Sequence, residues 1–410
     1  MSRSKPLDGM PLPFETGTFA DEEGPFYKNP GHHLPIQVSP YPDELLSSWL
    51  VRMAWMNAEK LHTFKRRFWK FPGSPWGRNI DLIFPSGVLH ALSQLTGRPG
   101  EEIEAHRLTA FTGILFEKPG TGGIAHGLLS SLSRGRQVKG YALQFCPACL
   151  REQTSPYFRL TWRISYVTVC PIHNCVLHES CPDCRRPIVI HLADAGQLLL
   201  PVRAPTSFCS YCGADWRQSR PATTLLDDDL LSWLKDLAIG VSNKWVLHNQ
   251  QPIWALSYYS GLNFLLAHLL ADRPNKRLHQ IVASTMGLLD LPPNSKSPQY
   301  TFSTLRLADR IYILRLLHWL LQEWPDRLIW ALRTAKLHYS YLKNYGGRLI
   351  PFWIDQHLYL LKDHKHMPIS QQEKASVRAY LEKRHWPANP NQVNRWLGRW
   401  YVGTQNNDPW

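Results

Sequence analysis

All eight cysteines of the 410-residue chain lie between Cys146 and Cys212, and six of them form Cys-x-x-Cys pairs: Cys146/Cys149, Cys181/Cys184 and Cys209/Cys212. A two-residue gap lets the backbone turn so that both thiolates face one ion, and four such ligands complete the tetrahedron of a structural Zn²⁺ site. A fourth pair of the same spacing uses imidazole in second place, Cys170-Pro-Ile-His173. A fifth, Cys175-Val-Leu-His178, follows directly after it, so spacing alone leaves two choices there. Pro171 favours Cys170/His173, because it stiffens the turn between the ligands as Pro147 and Pro182 do in two other pairs. Twenty residues separate Cys149 from Cys170, and twenty-four separate Cys184 from Cys209. Both gaps approach zinc-ribbon spacing and group the ligands as one Cys₃His and one Cys₄ site, with Cys175 and His178 packed beside them.

Other uses of these cysteines fit less well. The first forty residues lack an apolar run of seven or more, so no secretory signal and no oxidising compartment is implied, which argues against disulfides. Iron-sulfur clusters are usually held by cysteines alone, whereas knuckles that include a histidine suit zinc. A catalytic zinc keeps an open position beside three protein ligands. Four ligands per site point to two structural ions per chain instead.

Length predicts two to four domains and 44% apolar content is enough for real cores. Lys+Arg 46 against Asp+Glu 32 leaves a formal charge of +14, which favours a polyanionic partner. A membrane is disfavoured, since no eighteen-residue apolar stretch occurs and the nearest approach, residues 261 to 271, is short and carries His268. Double-stranded DNA is the leading expectation. Seventeen tryptophans could include platforms for unpaired bases, but most lie at helix-periodic positions among leucines and read as core; Trp55, Trp69 and Trp396, near basic residues, are the exceptions.

The surrounding elements must position this chemistry. Residues 1–38 are rich in Pro and Gly without period and read as a flexible arm. From Ser39, SPYPDELLSSWLVRMAWM sets Leu45, Leu46, Trp49, Leu50 and Met53 on one helical stripe. HTFKRRFWKF interleaves Lys65, Arg66, Arg67 and Lys70 with Phe64, Phe68 and Trp69, predicting a phosphate-facing cluster over a buried aromatic side. Ser86 to Thr96 reads as a helix with Leu89, Leu92 and Leu95 inward, and GRPGEE turns the chain into another carrying Ile103 and Leu108. Together they are compatible with a helix-turn-helix. A basic stretch with Arg134, Arg136 and Lys139 leads into the cysteine-rich module. Inside it, FRLTWRISYVTVC alternates like a strand, and Arg159, Arg163, Arg185, Arg186 and Arg217 predict a positive surface. From about Leu225 the pattern is helical, with helices expected over 252–272, 303–323, 326–343 and 370–385. Asp227 to Asp229 sit where they favour a helix dipole, Ser303 is a candidate cap, and Trp324-Pro325 a stop. WPANPNQVNRWLGRW places Arg395 and Arg399 on a last short helix, a recognition element or a lid. The fold class is mainly α with small β: a helix-turn-helix-like region over 39–140, a tandem zinc-ribbon or zinc-finger module over 141–221 and a helical domain over 222–410.

Three features in order, PYPDELLSSWLVRMA, CPACLREQTSPYFRLTWRISYVTVCPIHNCVLHESCPDC and LLQEWP, resemble the TniQ/TnsD family of transposon target-selection proteins, from about Ser39 to about Trp330. The zinc stretch is the most specific part. The resemblance implies a non-enzymatic adaptor in a bacterial, cytoplasmic, DNA-associated setting that joins target DNA, or a CRISPR Cascade-type effector with its guide RNA, to the AAA+ ATPase TnsC, which brings the transposase. By the family motif the ligands fall on Cys146, Cys149, Cys170, His173, Cys181, Cys184, Cys209 and Cys212, while Cys175 sits where the motif needs none. The nucleic-acid contacts expected beside them are Lys65, Arg66, Arg67, Lys70, Arg134, Arg136, Lys139, Arg185, Arg186, Arg395 and Arg399. A short C-terminal domain favours the effector-docked subgroup over attachment-site binders of the TnsD kind, and some effector-docked members form homodimers. Competing readings are a nuclease or recombinase, which needs clustered carboxylates that the chain does not show beyond Asp227 to Asp229, and a stand-alone zinc-ribbon transcription regulator that binds an operator alone.

Overall fold

In the computed structural model the described residues are 33–71, 75–83, 85–120, 125–129, 132–134, 137–193, 205–222, 226–271, 276–289, 301–344, 349–361, 370–390 and 392–393. Residues 1–32 of the expected arm lie outside them, as do Arg136, Arg395, Trp396 and Arg399. Leu34 is already buried, and its amide donates to the Leu95 carbonyl.

The apolar run after Pro42 forms helix α1, Leu46–Met56, buried at every position from Leu46 to Ala54. A helix buried all round has neighbours all round. On one side lie α2, Leu61–Phe64, and the helical pair α3, Ser86–Thr96, and α4, Gly100–Ala105. Gly97 ends α3 in the left-handed conformation that glycine adopts without strain. Trp49, Leu50, Phe64, Phe68, Leu92 and Leu95 form one apolar core here, and Leu89 is partly buried against it. Trp69 belongs to the same core at 5% exposure, which corrects its reading as a base-stacking platform.

After the ribbon β1–β2, Leu132–Arg134 with Gln137–Lys139, the chain enters the cysteine-rich module. Helix α5, Pro147–Glu152, follows Cys146 with proline at its first turn. The strand expected over FRLTWRISYVTVC is not formed. In its place a 3₁₀ turn, Leu160–Arg163, leads through a buried run to β3, Val169–Cys170, which pairs antiparallel with β4, Cys175–Val176. Alternation fails because both faces are covered: Phe158, Trp162, Ile164, Ser165, Tyr166, Val167 and Thr168 are all buried. Backbone carbonyls of the run are met by side chains instead of a sheet ladder: Gln144 Nε2 donates to the Val167 carbonyl at 3.0 Å and Arg310 to that of Ser165 at 2.8 Å.

The C-terminal region is helical: α6, Asp228–Gly240; α7, Ala255–Leu269; α8, Lys276–Thr285; α9, Leu307–Leu321; α10, Asp326–Thr334; α11, Tyr339–Asn344; α12, Phe352–Asp355; and α13, Gln371–Lys383. Asp227 caps α6 by accepting from the Leu230 amide, and Asp228 and Asp229 occupy its first turn. Two expectations are corrected. The region is not all helical, because Trp245–His248 and Gln251–Trp254 form a hairpin, β5–β6, ahead of α7. Nor does Ser303 cap the long helix: it lies in a separate 3₁₀ turn, Phe302–Thr304, and α9 begins at Leu307. Among the described residues no helix is long and apolar enough to cross a membrane.

One hydrophobic cluster takes in Leu45, Phe145, Phe158, Trp162 and Trp216 together with Leu234, Leu262, Leu314 and Leu317, so the cysteine-rich module shares its core with the C-terminal helices. Buried polar struts tie the same parts. Arg310 of α9, fully buried, donates to the Ser165 carbonyl at 2.8 Å and to Gln144 Oε1 at 2.9 Å, with Glu179 Oε2 at 3.6 Å. That carboxylate also accepts from the Leu307 amide at the start of α9, at 2.8 Å. Toward the N-terminal side, Arg163 donates to Asp81 Oδ2 at 3.0 Å, and Asp81 accepts from the Ser47 amide and hydroxyl on α1. Tyr157 and Arg159 both reach Asp43. The expected positive surface of the module is therefore thinner than the sequence implies: Arg163 is buried, Arg159 is paired with Asp43 and Arg217 with Asp215, while Arg185 and Arg186 are exposed.

Candidate metal centres

Each ligand pair is built on a tight turn. In three of them the residue after the second ligand has a positive φ, 51° at Asn174, 61° at Arg185 and 75° at Gly213. The amide of that residue returns to the carbonyl of the first cysteine: Asn174 to Cys170 at 2.9 Å, Arg185 to Cys181 at 2.9 Å and Gly213 to Cys209 at 2.8 Å. The fourth pair, Cys146/Cys149, instead runs straight into α5. In every pair the first sulfur accepts a backbone amide from the turn: Cys149 to Cys146, His173 to Cys170, Asp183 and Cys184 to Cys181, Tyr211 and Cys212 to Cys209. Amides aimed at sulfur stabilise thiolate, the form that ligates metal.

The structure gathers the eight residues into two groups, Cys146, Cys149, Cys170 and His173, and Cys181, Cys184, Cys209 and Cys212, with ligand atoms within 4.8 Å of one another in each. Sulfur-metal bonds of about 2.3 Å place the corners of a tetrahedron about 3.7 Å apart, slightly less where nitrogen replaces sulfur. The separations match: Cys149–Cys170 3.6 Å, Cys184–Cys209 3.6 Å, Cys181–Cys212 3.7 Å, and 3.3 to 3.5 Å from His173 Nδ1 to the three sulfurs of its group. His173 Nε2 donates to Glu152 Oε1 at 2.9 Å, which fixes the tautomer whose bare Nδ1 faces the sulfurs. Crowding divides the thiols of the first group. Hydrogen bonding from Cys149 and Cys170 pulls Cys146 down, and the bond to Cys146 pushes Cys149 up. Cys146, Cys149 and Cys170 would all be held as thiolates by a bound dication, which would relieve that competition. Both groups can hold a metal ion.

The fifth pair divides its roles. His178 stacks on Phe145 and donates through Nε2 to the Arg220 carbonyl, and it is not among the residues grouped in either cluster. Cys175 lies with its sulfur 3.6 Å from that of Cys146.

The sequence-predicted basic residues are only partly gathered. Lys65, Arg66 and Arg67 form one 3₁₀ turn, and Lys70 donates to the Arg66 carbonyl; Arg66 and Lys70 are exposed, while Arg67 is held by Glu59. Phe64 and Phe68 lie buried beneath them. Arg185 and Arg186 sit on the second cluster's knuckle, Arg186 over the Tyr211 ring at 4.7 Å. Arg134 lies on β1 and Lys139 on β2. Trp55, partly buried, donates to the Ala193 carbonyl. Sequence reasoning missed Glu152, Glu179 and Arg310. Glu152 alone had a local signal, one helical turn beyond Cys149 on α5.

Residues 35–177, about a third of the chain, match the TniQ family model. The match contains the whole first cluster and stops short of Cys181, so it is narrower than the resemblance traced to Trp330. No curated protein matches the chain.

Proposed function

We propose that the chain is a non-enzymatic target-selection adaptor for DNA transposition, holding double-stranded DNA by phosphate contacts and presenting its helical surfaces to the AAA+ ATPase TnsC and to a Cascade-type effector. The observation that carries this reading is the TniQ match over 35–177, which contains the first cluster. Zinc is the ion we assign to both clusters, since four thiolate or imidazole donors at tetrahedral separations are its structural donor set. With every corner taken by a side chain, the ions clamp turns and activate no water.

We assign phosphate contact to the turn bearing Arg66 and Lys70 and to the knuckle bearing Arg185 and Arg186. The α3–α4 pair is the helix-turn-helix candidate, but α4 carries Glu101, Glu102 and Glu104, which repel phosphate. The basic turn after α2 is then the better approach to a duplex. A titration of duplex binding against salt tests this: affinity should fall steeply as salt rises, and Arg66→Ala and Lys70→Ala should each reduce the slope by about 1. Salt-independent binding would overturn the electrostatic reading. ATP-dependent co-elution with the ATPase, with no DNA cleavage in Mg²⁺, separates the adaptor from a nuclease; tight operator binding without any partner would favour a transcription regulator.

A further inference from the structure

We propose that Cys175 is a reserve ligand of the first metal centre, taking the place of His173 so that the donor set passes from Cys₃His to Cys₄. This rests on the reading of two metal-filled clusters. Cys175 Sγ lies 3.6 Å from Cys146 Sγ, the separation that the ligand pairs Cys149/Cys170 and Cys184/Cys209 also show. The β3–β4 register sets Cys175 directly opposite Cys170. Residues opposed in an antiparallel pair project to the same face of the ribbon, so the hairpin carries both side chains on the side that the cluster occupies. His173 lies in the turn between them.

The two donors differ in how they are held. The imidazole is fixed at its far nitrogen by Glu152, whose side chain is 66% exposed, so a solvent-accessible hydrogen bond is what keeps the ring in place. Cys175 is carried by a strand, half-buried, and already touches a ligand sulfur. In the exchange the Cys175 thiol gives its proton to solvent as the sulfur-metal bond forms, and neutral imidazole leaves. No electron moves, and the filled centre becomes one unit more negative.

Metal content of the full chain, with Co²⁺ as a spectroscopic substitute for the native ion, tests the proposal. The wild type should hold two ions with seven thiolate ligands. His173→Ala should still hold two, with thiolate-to-Co²⁺ absorbance raised by about one-seventh as an eighth thiolate enters. Cys175→Ser should resemble the wild type, and the His173→Ala/Cys175→Ser double variant should hold one ion. The proposal is overturned if His173→Ala alone drops to one ion, or keeps two without added thiolate absorbance. It is equally overturned if Cys175→Ser alone loses an ion, since Cys175 would then be a primary ligand. A wild type holding fewer than two ions overturns the two-cluster reading itself.

Discussion

The two metal clusters use the same turn but stand in different surroundings. In the first, all three cysteines are buried, and the hairpin it clamps packs its strand β3 against helix α6 within the core shared with the C-terminal helices. In the second, Cys184 is half-buried and Cys212 exposed, so the cluster is a knuckle on the rim of the molecule. Similar donor sets would thus have unequal reach: a metal held by the first would fix a hairpin in the shared core, and one held by the second mainly its own loop.

Variants that empty one cluster at a time should expose this inequality. The largest effect is expected from Cys149→Ser, which should lose one ion and unfold the shared core; free energies of ion binding to structural zinc turns are on the order of 10 kcal/mol, comparable with the stability of a whole domain. Loss of one ion with an unchanged melting temperature would erase the distinction. Next, Arg310→Ala should destabilise by about 3 to 5 kcal/mol, because it strands the buried carboxylate of Glu179 and the Gln144 and Ser165 oxygens. Chemical denaturation measures it, and an effect under about 1 kcal/mol would show that Arg310 is no strut. Cys184→Ser should also lose one ion, yet leave the main unfolding transition within a few degrees of wild type, about 1 kcal/mol or less.

Acid should weaken the fold away from the clusters. Burial lowers His191 to about 4, and burial together with neighbouring His357 lowers His248 to about 4. The unfolded chain binds protons at these rings near pH 6.5 and the folded chain does not, so stability is lost as pH falls from about 6.5 to about 4. Asp355, raised by burial to about 6, acts in the opposite sense over much of that window. His248→Phe should shrink the difference in melting temperature between pH 7 and pH 4.5; an unchanged difference would remove His248 as a cause. The smallest effect is expected at the outer knuckle, where Arg185 has a φ of 61° and asparagine tolerates that region better. Arg185→Asn should raise stability by a few tenths to about 1 kcal/mol while weakening duplex binding, and a loss of stability would show that the arginine side chain supports the turn.

Much of this was legible in the chain alone. Cys-x-x-Cys and Cys-x-x-His pairs carry their geometry within a few residues, so local spacing set out the two groups except for the choice between Cys170/His173 and Cys175/His178. Helices with a periodic apolar stripe were equally visible: Ser86–Thr96 falls where expected, and α13 lies within the expected 370–385. The run from Phe158 to Val169 reads as a strand in sequence, but its buried backbone carbonyls at Ser165 and Val167 are met by side chains distant in sequence, Arg310 and Gln144, and not by a sheet ladder. Arg163 looked like surface charge for the same reason. Only folding brings Asp81 to it across eighty-two positions, or Arg310 to Gln144 across one hundred and sixty-six. Sequence determined what is set by near neighbours, the turns, ligands and helical stripes. Tertiary structure decided which cluster stands inside, which charges are buried and which thiol lies beside a ligand, because those depend on what long-range packing places against each group.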